Sequence, residues 1–226
     1  MKKILLATAF ALTVSFANAQ LKYGLKAGVN FANVTVNGSD YSLSPSSVTS
    51  FHLTGFVDIG LNENFSFQPG ISFQGKGFKS KEEEDGFYVK EKADYSYVEI
   101  PLNAVYSLPA GSQGSVFFGA GPYVSFGLFG KYKIDDNLSS EDRKIVEEFL
   151  GQELKDRDVK FGNKVGDDLS PIDFGLNFML GYRLNSGLLL NAGYGLGLAN
   201  VMPKDQREGD SKLKNKLFSI SVGYSF

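Results

Sequence analysis

The sequence has no cysteine, no tryptophan and a single histidine, His52. Without cysteine, disulfides and thiolate metal centres are excluded. Beyond the first nineteen residues no stretch approaches the ~20 continuous apolar residues that a membrane helix requires. Charge of either sign is unremarkable, with 23 basic and 25 acidic residues, so no electrostatic footprint for nucleic acid is present. Glycine and the smaller aromatics are plentiful by contrast: 26 Gly, 20 Phe and 11 Tyr, a composition that suits a β-barrel.

The amino terminus reads as an export signal. Met1-Lys2-Lys3 precedes an uncharged, mostly apolar run from Ile4 to Phe16, followed by Ala17-Asn18-Ala19. A basic start, a run too short to span a bilayer and an A-x-A cleavage signature describe a secretory signal peptide over residues 1–19, cut before Gln20. With no cysteine after the cut, a lipid-anchored lipoprotein is not expected. Loss of Lys2 and Lys3 leaves 21 basic against 25 acidic residues over 20–226, a net charge of −4. The domain organisation expected is a leader followed by one barrel.

Eight segments alternate with a period of two. They are Leu21 to Phe31, Phe51 to Leu61, Phe65 to Gly75, Tyr97 to Leu108, Val116 to Leu128, Ile172 to Leu184, Leu188 to Leu198 and Leu217 to Phe226. Short links (Asn62 to Asn64, Pro109 to Ser115, Asn185 to Gly187) alternate strictly with long ones (Ala32 to Ser50, Lys76 to Ser96, Phe129 to Pro171, Ala199 to Lys216). That rhythm predicts an all-β, eight-stranded antiparallel up-and-down transmembrane barrel with short periplasmic turns and four longer extracellular loops.

The two faces decide the surrounding solvent. One carries residues such as Leu25, Val29, Leu53, Ile71, Ile100, Leu102, Phe174, Leu190 and Ile220, and no Lys, Arg, Asp or Glu. The other is rich in Gly, Ser and Asn, with charge only at Lys22, Lys26, Asp58, Glu99, Asp173 and Arg183. A soluble barrel such as a lipocalin needs a well-charged exterior. Small residues suit the narrow bore of eight strands, and a charge at the lipid midplane costs roughly 2–4 kcal/mol. The aliphatic face therefore belongs in lipid, and the expected address is the outer membrane of a Gram-negative cell. Val222, Tyr224 and the final Phe226 resemble the signal that barrel-insertion machinery recognises.

Several strings resemble the PorT family of outer-membrane β-barrel proteins. They include Gly24-Leu25-Lys26-Ala27-Gly28-Val29-Asn30-Phe31, Gln68-Pro69-Gly70 leading to Lys76-Gly77, and Tyr97-Val98-Glu99-Ile100-Pro101-Leu102. Gly119-Ala120-Gly121-Pro122-Tyr123 with Gly130-Lys131, and Asp173-Phe174-Gly175, complete the set. The resemblance implies an outer-membrane barrel of this size. A role in a protein-secretion apparatus, that of the family's namesake, does not follow from shared barrel strings, because function resides in sites.

For chemistry, Lys26, Asp58, Glu99, Asp173 and Arg183 are expected to project inward as ion pairs filling the lumen, since a buried charge requires a partner. Pro101, lacking an N–H, predicts a bulge in the fourth segment. His52 and Thr54 share a face, but no nucleophile elbow accompanies them, so no enzyme is expected. Gly193-Tyr194-Gly195-Leu196-Gly197 lacks the following helix of a dinucleotide loop. No cofactor is expected. In the loop Phe129 to Pro171, Ser139-Ser140-Glu141-Asp142 resembles a helix cap. Ile145, Val146, Phe149, Leu150 and Leu154 then recur at helical spacing, a stripe that packs on the rim or on a protein partner. Lys81 to Asp85 reads as a solvated tip. The leading expectation is a non-enzymatic barrel that interacts through its loops, with secretion accessory and lipid-modifying enzyme as alternatives.

Overall fold

The computed structural model describes residues 21–38, 45–84, 86–150, 153–207 and 209–226. The leader expected at 1–19 lies outside them. The strands are β1 (Leu21–Asn37), β2 (Val48–Gly60), β3 (Phe65–Glu84), β4 (Phe87–Pro109), β5 (Gly114–Asp136), β6 (Arg157–Asp158), β7 (Ile172–Leu184), β8 (Leu188–Gly197) and β9 (Lys212–Ser225). One helix, α1 (Ser140–Leu150), follows β5. Every pairing is antiparallel, and the order β1-β2-β3-β4-β5-β7-β8-β9 closes through β9–β1 and β4–β5. These eight strands form the barrel. The two-residue β6 pairs with Lys131 and Tyr132 of β5, above the point where β7 begins opposite Phe126.

Three tight turns gather at one end. Asn62 Oδ1 accepts from the N–H groups of Asn64 (3.0 Å) and Phe65 (2.8 Å), an Asx turn that returns β2 into β3. In the β7–β8 turn Gly187 holds φ +96°, open to glycine at little cost.

At the other end the strands run on well past the expected boundaries. A membrane strand needs only ~9–11 residues, whereas β3 has 20 and β4 and β5 have 23 each. The link expected over Lys76 to Ser96 is therefore not a loop. β3 and β4 stay paired up to Glu84↔Phe87 as one long hairpin. β1 likewise reaches Asn37 against Lys212 of β9, shortening the links expected at Ala32 and Ala199. Lys81, Glu82 and Glu83 are exposed strand residues near the hairpin's end, and Asp85 lies outside the described residues.

Along these strands the polarity of the two faces inverts. In the lower part of β4, Ile100 and Leu102 point outward while Glu99 and Asn103 are buried inside. In its upper part the buried residues are Ala93, Tyr95 and Tyr97, and the outward positions hold Lys90, Lys92 and Asp94. Apolar outside with polar inside is a membrane barrel. Apolar inside with polar outside is how a water-soluble barrel is built, so the extension stands clear of the hydrocarbon layer.

A bulge sits at the changeover. Ser96 pairs with Phe129 and Tyr97 with Gly127, leaving Leu128 without an opposite number. Leu128 and Phe129 consequently both face outward, and β5 changes parity so that Tyr132 points in. The bulge expected at Pro101 is absent. Register with β3 is the same on both sides of it (Pro69↔Leu102, Ser72↔Glu99), so the missing N–H interrupts the ladder without adding a residue.

Candidate functional site

The barrel interior is stacked in layers. Nearest the short turns is a vestibule of about 590 Å³ bordered by Lys22, Asp58, Glu63, Arg183 and Phe226. Its inner wall carries the Arg183–Asp58 pair, with Nη1 2.7 Å from Oδ2. Above lies an apolar layer of Phe56, Val105, Phe117, Met179 and Leu189. Phe56, which broke the alternation of its segment, is the reason Gly24 must be glycine: a Cβ there would lie 2.2 Å from the ring's Cζ.

The next layer is polar. His52 Nδ1 lies 2.7 Å from Asn30 Oδ1, and Asn30 Nδ2 donates to Gly75 O and Gln74 Oε1, both at 3.0 Å. Thr54 and Ser72 join their hydroxyls at 2.6 Å. The void here, shared with Lys26, is only about 50 Å³.

Lys76 occupies the centre of the following layer. Its Nζ lies 2.9 Å from Asp173 Oδ2 and 3.4 Å from Glu99 Oε2. It also sits 4.6 Å from the ring centroid of Tyr123 and 5.0 Å from that of Tyr97. The surplus carboxylate charge is met by donors: Ser125 Oγ and Asn177 Nδ2 to Glu99 (3.0 and 2.9 Å), and Asn215 Nδ2 to Asp173 (2.9 Å). Tyr95 OH fixes Asn215 by donating to its Oδ1 at 2.8 Å. A buried cation shared by two hydrogen-bonded carboxylates is the arrangement in which charge burial is tolerated, although Asp173 Oδ1 is buried without a partner.

The five expected charges thus divide. Asp58 and Arg183 meet each other. Glu99 and Asp173 meet only through Lys76, which falls outside the expected set. Lys26 has no carboxylate within 4.0 Å among the described residues. Lys76 was legible by parity, since it continues the inward series Ser72, Gln74. It stands just past Gly75, where the outward apolar residues stop and the alternation predicts the end of the segment.

Above Lys76 the lumen is sealed by an apolar cluster of Ala93, Tyr95, Tyr97, Tyr132, Val159, Leu169 and Val201, with Phe161 packed against it. Val159, Phe161 and Leu169 come from the long loop after β5, and Val201 from the loop after β8. Val159 N–H donates to Gly130 O (2.9 Å) and Ser170 N–H to Val201 O (2.8 Å), so both loops fold down onto the strands. The Phe161 ring lies over Gly127, where a Cβ would come within 2.4 Å.

An outward apolar band, a polar filled lumen and a closed ring of eight strands define a small membrane barrel, and the sequence agrees. Residues 16–202 match the family described as outer membrane protein beta-barrel domain. The chain belongs to that family. Its place is accordingly the outer membrane, with the long links on the extracellular side. No curated protein sequence matches the chain. Among solved structures, Ail of Yersinia pestis in complex with sucrose octasulfate is 15% identical, with TM-score 0.42, over 92% of this chain and 99% of its own. Neisserial surface protein A is 14% identical, with TM-score 0.45, over 90% and 97%. Outer membrane protein W of E. coli is 18% identical, with TM-score 0.40, over 92% and 100%.

In this family member the extracellular helix begins as its cap residues predict. Ser139 Oγ accepts from the Asp142 N–H at 3.2 Å. Arg143 grips Asp136 with Nη2 at 2.7 and 2.9 Å, tying α1 to the end of β5. Leu154 is buried, Ile145 is 66% exposed, and the side chains of Phe149 and Leu150 lie outside the described residues.

Proposed function

We propose that this outer-membrane barrel is a non-enzymatic interaction platform that works through its extracellular extension and loops. The observation that carries the reading is the series of closures in the lumen: the Lys76 layer, with the apolar cluster above it, stands between the vestibule and the extracellular side. A blocked bore leaves the outer surface as the working part. There the loop over 129–171 presents Ile145 (66% exposed) and Val165 (81% exposed), apolar side chains that water does not reward and a partner protein would. Deleting 139–154 is expected to leave the heat-modifiable gel migration of a folded barrel intact. It should remove a partner cross-linked on intact cells. A wild-type barrel that cross-links to nothing would overturn this reading.

A second reading, accessory to secretion as the PorT resemblance implies, draws support from the vestibule, whose Lys22, Asp58, Glu63 and Arg183 offer a charged periplasmic mouth. The short turns around it give a small docking surface, so the reading ranks below the first. Lipid hydrolysis ranks third. His52 is buried against Asn30 in the lumen, with no Ser or Thr hydroxyl bonded to it among the described residues. H52A is expected to leave any lipid-hydrolysis signal unchanged.

A further inference from the structure

Three lysines face one another in a single row on the outside of the extension. In the register of the sheet Lys79 of β3 stands opposite Lys92 of β4, which stands opposite Lys133 of β5. All three point outward, since Phe78, Ala93 and Tyr132 point in. Like charges directly opposite across strands destabilise a sheet. Two of the three lack local relief: Lys92 pairs with Asp94 at 2.5 Å, but Lys79 and Lys133 have no carboxylate within 4.0 Å among the described residues. The row borders a cleft of about 580 Å³.

The row's height is the second observation. Two rows below it in the same register stands Phe129, 60% exposed, whose ring lies 6.3 Å from that of Phe73, which in turn stacks on Phe51 at 5.5 Å. An aromatic cluster at the end of an outward apolar band marks the membrane–water interface. Successive rows on one face are two residues apart, about 6.6 Å along a strand. Two rows are about 13 Å along the strands, which a strand tilt of ~35–45° reduces to about 10 Å above the aromatic cluster. The three ammonium groups therefore face sideways within a lysine side chain's reach of the headgroups.

We infer that the Lys79–Lys92–Lys133 row binds the phosphate groups of an anionic glycolipid in the outer leaflet. The lipid supplies the direct counter-charge that Lys79 and Lys133 lack, although Glu91, Asp135 and Asp156 border the same cleft, and its acyl chains lie along the apolar band directly beneath. Basic residues attract anionic headgroups over about a Debye length, ~8–10 Å, and a backbone height of about 10 Å less the downward reach of a lysine side chain falls within it. The site is separate from the loop over 139–154, and its test does not depend on any protein partner.

The test is native mass spectrometry of the mature barrel, folded in detergent, with bisphosphorylated lipid A, its dephosphorylated form and inorganic phosphate as probes. The wild type is expected to retain the bisphosphorylated lipid and to lose at least tenfold in affinity when its phosphates are removed. K79Q/K92Q/K133Q should lose at least tenfold, K79R/K92R/K133R should bind as the wild type does, and K212Q/K214Q/K216Q on the opposite flank should bind within about twofold. Heat-modifiable migration checks that each variant is folded. A folded K79Q/K92Q/K133Q that binds as tightly as the wild type overturns the inference. So does equal retention of the dephosphorylated lipid, or competition by inorganic phosphate at the lipid's own concentration.

Discussion

Lys76 and Asp173, 97 residues apart in sequence, meet inside the barrel with Nζ 2.9 Å from Oδ2. β3 and β7 are not neighbours in the sheet, so the contact spans the bore and fixes its closure. K76M would leave Asp173 and Glu99 as two buried carboxylates without a cation. The expected cost is about 3–5 kcal/mol, the usual penalty for removing one partner of a buried pair. Adding D173N and E99Q removes the stranded charges and should recover much of the loss. Denaturant titration in detergent, followed by the heat-modifiable gel shift, measures both steps.

The second prediction concerns packing. Phe56 fills space that Gly24 leaves, so G24A should destabilise the barrel by about 1–3 kcal/mol through overpacking. F56L should relieve part of that in the double variant while costing stability alone. Equal and additive losses in a double-mutant cycle would show that the two positions do not compete for one space.

These two sites illustrate unequal legibility. Gly24 and Phe56 were both visible as residues of the inward face, though not as a matched pair, because pairing needs the register Gly24↔Phe56. All eight barrel strands were readable wherever lipid demanded outward apolar residues. Above the membrane the same period of two continues with its polarity reversed, as in Phe78 and Lys79 or Lys92 and Ala93. A search for outward apolar residues ends at that reversal. Lys76 lies at the reversal itself, so the pattern of outward apolar residues places this central member of the charge cluster in a loop.

Conductance should be absent or small, because the mid-lumen void is only about 50 Å³. The seal is doubled. V159S/F161S/L169S should loosen the extracellular cluster without producing a steady conductance, since Lys76 and its carboxylates still fill the bore below. Planar-bilayer recording distinguishes this from a true gate, for which the triple variant would open a stable channel.

Glu91 gives a pH dependence outside the membrane span. Burial in the extension holds its carboxyl above the ordinary carboxylate range, with Arg157 opposing and Asp168 adding to the effect. A raised folded pKa means the protonated form suits the fold. The favourable contribution is fully present below the unfolded value near 4.5 and fades as pH rises through the folded value. E91Q should therefore slow amide exchange in the β3–β4 hairpin at pH 7 and change it little at pH 4. Slower exchange at both pH values would assign the effect to something other than charge.

The central claim is that hydrocarbon lies against the outward face of β4 at Ile100 and the water-accessible headgroup layer against the same face at Lys92. The absence of native cysteine allows the most direct measurement: single-cysteine variants K92C and I100C, exposed on intact cells to a membrane-impermeant maleimide. K92C should label rapidly, and I100C should stay unlabelled until the membrane is dissolved and the barrel unfolded. Labelling of I100C at the rate of K92C on intact cells would contradict the account.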